Sequence, residues 1–185
     1  MKVIVCRHTE DIGPPHDNQS RGLSQRGKEQ AKLLKKVIDK YLPAKTYSST
    51  FQRAIETTTI ISEQSQITQS ELLDEQSPGN SEEIGQKLKN NRGYISLHET
   101  YNCGESYRSL KERLEEFITQ LQLDLASNPE CNILIVTHGR AMTFLFAILL
   151  GFEPNGFNLS LDYGSYYVVE MSNDWRAMLL EFHQI

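Results

Sequence analysis

Four side chains stand out by type and by position: Arg7, His8, Arg53 and His138. Arg7-His8 follows directly on Lys2-Val3-Ile4-Val5-Cys6, an apolar run rich in β-branched residues, of the kind that forms a buried strand. Thr137-His138-Gly139-Arg140 follows Ile133-Leu134-Ile135-Val136 in the same way. Arg53 comes after a third short strand, Lys45 to Ser48, in the first turn of the next helix. All four therefore fall on the carboxyl edge of a sheet, where open α/β folds place their ligands. The helices that begin there add free amides and a dipole that favour an anion. A phosphoryl group carries a charge of about −2 and several acceptor oxygens. Two guanidiniums and an imidazole match that charge and geometry without a metal ion. The second imidazole is left to attack phosphorus through a neutral ring nitrogen, splitting the transfer through a phosphohistidine.

The elements that must carry these groups alternate along the chain. Asp11 to Asn18 is rich in turn formers and reads as a loop at the mouth of the His8 site. Ser24 is the N-cap of a helix from Gln25 to Tyr41, with Ala31, Leu34, Val37, Ile38 and Tyr41 along one stripe and Pro43 ending it. Ser48-Ser49-Thr50 offers capping hydroxyls to a helix from about Phe51 to Glu63, and Ile67 to Leu73 reads as a strand. A helix is expected at 81–89, and Asn90 to Cys103 as a loop or small lid. From Ser106 to Leu125 the spacing of Leu110, Leu114, Phe117, Leu121 and Leu125 predicts a long helix. An apolar helix from about Arg140 to Leu150 stops at Gly151, and strands at 165–171 and 175–182 close the chain. This pattern predicts an α/β fold, a three-layer sandwich around a mostly parallel sheet. It is expected to form a single domain over 1–185, with a lid or cap segment at about 76–104.

Composition narrows the function classes. A chain of 185 residues is long enough to bury a core, and its net charge of −5 argues against nucleic acid and anionic membrane surfaces as partners. Cys6, Cys103 and Cys131 are odd in number and lack metal-site spacing, which favours a reducing, cytoplasmic compartment. None has an arginine six positions on, which removes the cysteine-phosphatase loop. The first residues lack a signal-peptide pattern, and the most apolar run, Met142 to Leu150, is too short to span a bilayer. No cofactor is called for, the expected partner is a small phosphorylated molecule, and nothing in the sequence speaks to oligomeric state.

These residues also resemble a known family, the histidine phosphatase superfamily, or phosphoglycerate mutase-like proteins. Arg7-His8 is similar to its Arg-His-Gly opening, and Leu23 to Ala31 to its first-helix signature. Ser48 to Thr57, with Gln52-Arg53-Ala54 inside, resembles the segment that supplies a second phosphate-binding arginine. Gly104-Glu105-Ser106 and Thr137-His138-Gly139 complete the series in the expected order. The resemblance implies a phosphoglycerate mutase-like fold and a phosphatase in which His8 becomes phosphorylated while Arg7, Arg53 and His138 hold the phosphoryl oxygens. It also implies an acid for the leaving group. Leu73-Asp74-Glu75, with Gly79 and Glu82 following, fits the family spacing, so Glu75 is the choice and Asp74 and Glu82 are the alternatives. Thr9 stands where the family has glycine and adds a side chain near the phosphate, while Asn18 can serve as the asparagine that touches the phosphoryl group in mutases. Arg7 and Arg53 are expected to depress the pKa of His8. Two other uses of the same residues are a phosphoglycerate-type mutase and a phosphate-recognition module without turnover.

Overall fold

The computed structural model describes residues 1–13, 18–62, 66–77, 79, 86, 104–126, 130–154 and 161–184. Nearly all of the helix expected at 81–89 and of the lid expected at 76–104 lies outside the described residues.

The strands are β1 (Lys2–Arg7), β2 (Asp11–Ile12), β3 (Gly22–Leu23), β4 (Lys45–Ser48), β5 (Gln66–Gln69), β6 (Ile133–Thr137), β7 (Tyr166–Met171) and β8 (Ala177–His183). The helices are α1 (Gln25–Ile38), α2 (Gln52–Ile61), α3 (Tyr107–Leu125) and α4 (Gly139–Leu149). Six strands form one sheet in the order β5-β4-β6-β1-β7-β8, and β2 pairs with β3 in a separate short ladder. The pairs β5–β4, β4–β6 and β6–β1 are parallel, and β7 and β8 add antiparallel strands beyond β1.

Alternation along the strands sorts the core into two layers. Val3 and Val5 of β1 point to the side holding Leu110, Leu114 and Phe117 of α3 and Met142, Phe144 and Leu145 of α4. Ile4 and Cys6 point to the opposite side, against Ala31, Leu34 and Ile38 of α1 and Ala54 and Ile61 of α2. Both strand faces are covered, which is why β1 and β6 read as continuous apolar runs. The expected three-layer α/β arrangement is the one observed.

Two neighbouring parallel strands decide where a site can form. The register pairs Arg7 with Thr137, so the chain leaves β1 and β6 side by side at His8 and His138. From β1 it turns to α1 on one face of the sheet, and from β6 to α4 on the other. A crevice opens between strands whose continuations diverge, and ligands of open α/β sheets bind there.

Some boundaries differ from the sequence reading. The strand expected over Ile67 to Leu73 stops at Gln69. Ser70 caps a 3-10 turn over Glu71–Leu73 by accepting from the Leu72 amide, which pulls those residues out of the ladder. The first helix ends at Ile38 and continues as a 3-10 turn to Tyr41. Ser24 is its N-cap, its hydroxyl accepting from the Gly27 amide at 2.9 Å. No described helix is long and apolar enough to cross a membrane.

Gly27 lets the first turn of α1 close on the segment that follows His8. A Cβ at Gly27 would overlap the Glu10 carbonyl oxygen, which already accepts from the Ser24 amide at 3.0 Å. Alanine is favoured over glycine by about 1 kcal/mol in helix propensity. Overpacking against backbone costs about 1–3 kcal/mol and should win here. Gly27→Ala is therefore expected to lower the midpoint of thermal or urea unfolding, and an unchanged or raised midpoint would contradict this packing.

Candidate active site

His8 is 3% exposed and its ring is held at both nitrogens. Nδ1 lies 2.8 Å from the carbonyl oxygen of Thr9. A carbonyl oxygen only accepts, so Nδ1 carries the proton and Nε2 the free electron pair. Arg53 donates from Nε to that pair at 3.1 Å. The backbone is tied as well, since the His8 amide donates to the Thr137 carbonyl of β6 and the His8 carbonyl accepts from Gly164. The ring is held neutral, its pKa pulled down to about 3, mainly by burial and then by Arg53 and Arg7. The sequence reading credited the arginines, but removal from water is the larger cause.

Arg53 is 2% exposed in the first turn of α2. Besides His8 it donates to both oxygens of Asn18, the carbonyl and, at 3.0 Å, Oδ1. Its guanidinium also stands 5.0 Å from the Phe51 ring centroid. Asn18 thus holds the guanidinium in register. Arg7 donates to the Leu161 carbonyl, lies 4.3 Å from the centre of the Tyr163 ring, and keeps Nε buried with no partner among the described residues.

His138 is fully buried at the N-terminus of α4, its ring 5.0 Å from that of His8. Its Nε2 lies 2.7 Å from Ser49 Oγ, and its Nδ1 is buried with no partner among the described residues. Burial, and then the cationic surroundings, push its pKa well below the ordinary value. Glu75 comes to the same helix end. Its carboxylate accepts from the amides of Gln76 at 3.0 Å, Arg140 at 3.2 Å and Ala141 at 3.2 Å. The Asp74 carboxylate turns away to accept from Ser49 Oγ and from Thr50. Glu82 lies outside the described residues.

Thr9 is buried, and its amide and hydroxyl meet Thr57 Oγ1 at 3.1 and 3.3 Å. Its side chain braces β1 against α2. Ser48-Ser49-Thr50 does not cap α2 through the N-cap position, which falls at Phe51. Glu105 pairs with Arg113 of α3 at 2.6 Å, and Arg113 donates to the carbonyls of Leu72 and Asp74, pinning the segment that carries Glu75.

Three contributors were missed from the sequence. Asp11 sits with its carboxylate against Arg21 and 3.6 Å from Arg53 Nε, and it also takes a hydrogen bond from Tyr163. Its signal was a carboxylate three residues after His8, absorbed into a turn-rich loop. Tyr163 and Leu161 lie beyond the last recognisable motif, and the Leu161 contact runs through the backbone, so no residue type announces it. Together these residues gather two guanidiniums and two imidazoles at one edge of the sheet. Two of their ring or guanidinium nitrogens, Arg7 Nε and His138 Nδ1, are buried there without a described partner. An anion can supply the acceptor that the Arg7 Nε–H lacks.

The buried neutral ring of His8 makes stability depend on pH. The folded protein leaves His8 unprotonated down to about pH 3, whereas the unfolded chain binds a proton below pH 6.5. The unfolded state binds more protons in that window, so stability falls as pH falls, by about 1.4 kcal/mol per pH unit for this ring. Urea unfolding of His8→Asn at neutral and mildly acidic pH should show a pH slope shallower than wild type by about that amount. Equal slopes would show that the ring titrates normally.

Comparison with known proteins places this geometry. The histidine phosphatase superfamily (branch 1) model matches residues 3–182. No curated protein sequence matches the chain. Among solved structures, the α-ribazole phosphatase from Shigella flexneri superposes with a TM-score of 0.82 at 22% identity, covering 98% of this chain and 96% of that one. A mycobacterial glucosyl-3-phosphoglycerate phosphatase gives 0.80 at 19% identity, covering 100% and 99%. YhfR of Bacillus stearothermophilus gives 0.81 at 22% identity, covering 100% and 97%. These likenesses show a shared fold, and the family match runs over nearly the whole sequence, through every element that brings Arg7, His8, Arg53 and His138 together: the chain belongs to the histidine phosphatase superfamily, branch 1.

Proposed function

We propose that the protein is a phosphatase that hydrolyses a small phosphomonoester through a phosphohistidine on His8, with no metal ion required. The observation that carries this reading is the His8 ring itself. It is neutral, fixed through Nδ1 by a carbonyl, and presents Nε2 to a guanidinium beside a second buried histidine. Arg7, Arg53 and His138 take the nonbridging oxygens of the substrate. As the phosphoryl group arrives, the Arg53 Nε–H moves from Nε2 to an oxygen and frees the electron pair. Nε2 then forms a bond to phosphorus while the ester P–O bond breaks. Glu75 relays to the departing oxygen the proton that the substrate monoanion brings, and its carboxylate next takes a proton from water and returns it with the leaving phosphate. That water attacks phosphorus, the P–N bond breaks, and inorganic phosphate leaves with His8 neutral again.

In this scheme Asn18 acts through Arg53, and Thr9 supports the site by bracing β1 and by lending its carbonyl to the ring. The mycobacterial neighbour has been solved with VO3 and with inorganic phosphate, tetrahedral or expanded oxyanions of the kind this pocket suits. Two of the three named neighbours are an α-ribazole phosphatase and a glucosyl-3-phosphoglycerate phosphatase, which supports a small phosphorylated substrate here. The thiols of Cys6 and Cys131 are free, in keeping with the cytoplasm as the working compartment.

The test is turnover in the presence of EDTA. Wild type should hydrolyse p-nitrophenyl phosphate, and His8→Ala should lose activity by a factor of about 10³ or more. Glu75→Gln should slow the first step, transfer to His8, by about 10²–10⁴-fold on an alkyl phosphate and much less on p-nitrophenyl phosphate, whose leaving group needs no proton, as read from pre-steady-state release of the leaving group. An active His8→Ala, or equal losses on both substrates, would contradict these assignments.

A further inference from the structure

Resting on the phosphatase reading, we propose that Ser49 and Asp74 are positioning residues for His138. They fix which ring nitrogen carries the proton, so that the site binds a phosphoryl group together with one proton taken up at Nδ1. Ser49 has one hydroxyl proton and several neighbours that compete for it. Asp74 Oδ1 lies 2.6 Å from Ser49 Oγ, and this carboxylate also accepts from the Thr50 amide at 2.8 Å and from Thr50 Oγ1 at 2.8–3.0 Å. A carboxylate only accepts, so the Ser49 proton goes to Asp74. The Ser49 oxygen is then itself an acceptor. It takes the Phe51 amide at 3.2 Å and His138 Nε2 at 2.7 Å. His138 therefore carries its proton on Nε2.

The consequence lies on the other side of the ring. With Nε2 protonated and the ring neutral, Nδ1 holds a bare electron pair, buried and without a partner among the described residues. Such an atom repels a phosphoryl oxygen. Charged groups face the ring from every side. Arg7 comes from β1, Arg53 from α2 and Arg113 from α3, with the neutral His8 ring just beyond β1, and burial first, then these cations, keep a proton off it. Asp74 acts from beyond Ser49, and Glu75 lies on the amides of Arg140 and Ala141. An incoming dianion reverses the balance. A proton from solvent joins Nδ1, and the imidazolium then donates from Nδ1 to the anion and from Nε2 to Ser49. The Asp74 charge, relayed through the Ser49 hydroxyl, supports that cation.

Sulfate is the probe, because it keeps both charges near neutral pH and brings no proton of its own. Calorimetric titration of the metal-free protein in buffers of different ionisation enthalpy should show uptake of close to one proton. The sulfate Kd should rise about tenfold per unit of pH while that proton is taken up. Ser49→Ala releases Nε2, so the neutral ring can place its proton on Nδ1 and bind without uptake. Asp74→Ala removes the acceptor, so the Ser49 hydroxyl is free to donate to Nε2 and the neutral ring keeps its proton on Nδ1. In both variants uptake should fall toward zero and the pH dependence should flatten, and His138→Asn should abolish uptake. Histidine 15N shifts of the free wild-type protein should show His138 protonated at Nε2 and bare at Nδ1, a readout independent of turnover. A proton on Nδ1 in free wild type, no uptake in wild type, or wild-type uptake in Ser49→Ala would overturn the proposal even if His8 is the nucleophile. Absence of sulfate binding would overturn both the relay and the anion site it serves.

Discussion

The site depends on one hydrogen bond, from Nδ1 of His8 to the Thr9 carbonyl 2.8 Å away. It prevents the ring from rotating and decides which nitrogen is protonated. Without it, an imidazole between two guanidiniums could offer either nitrogen to a ligand. Burial then keeps the ring neutral, because a third cation at this depth would add to charges already confined by Arg7 and Arg53. The backbone follows from the same requirement. The His8 amide and carbonyl are both engaged, by Thr137 and Gly164, and Thr9 is tied to Thr57. A side chain at position 9 is accommodated because its hydroxyl has a partner on α2.

Confining cations in this way is costly, and the fold offsets the cost with local acceptors rather than a single counter-ion. Asn18 and Asp11 serve Arg53, the Leu161 carbonyl and the Tyr163 ring serve Arg7, and Ser49 serves His138. These partners come from three connections, those after β1, β4 and α4, and they converge because β1, β6 and β4 end at the same edge of the sheet. The crevice between β1 and β6 supplies the space, since α1 and α4 leave on opposite faces. Arg113 reaches across from α3 to hold the carbonyls of Leu72 and Asp74, so the segment bearing Glu75 is anchored to the core layer of α3 and α4.

Much of this was legible in the sequence because burial writes a strong pattern. The uninterrupted apolar runs at β1 and β6 and the regular leucine spacing of α3 identify their elements, and the residues that follow the two runs are ones the structure brings together. What escaped has a common physical character. The β2–β3 ladder is too short to leave a periodic signal. The end of β5 was set by the Ser70 cap, a local competition that Leu72 and Leu73 hide. Leu161 acts through a carbonyl that every residue type possesses, and Tyr163 reaches the site from a connection with no motif. Ser49 reads as a helix cap by type, yet its proton is committed to Asp74, a commitment set by the meeting of two loops distant in sequence.

The most direct test of this account is a crystal structure with orthovanadate, which adopts the geometry of phosphorus under attack. Vanadium should be bonded to Nε2 of His8, with Arg7, Arg53 and His138 on its equatorial oxygens and the Nδ1 bond to the Thr9 carbonyl intact. Vanadium on Nδ1, or an oxyanion bound away from the His8 ring, would contradict it.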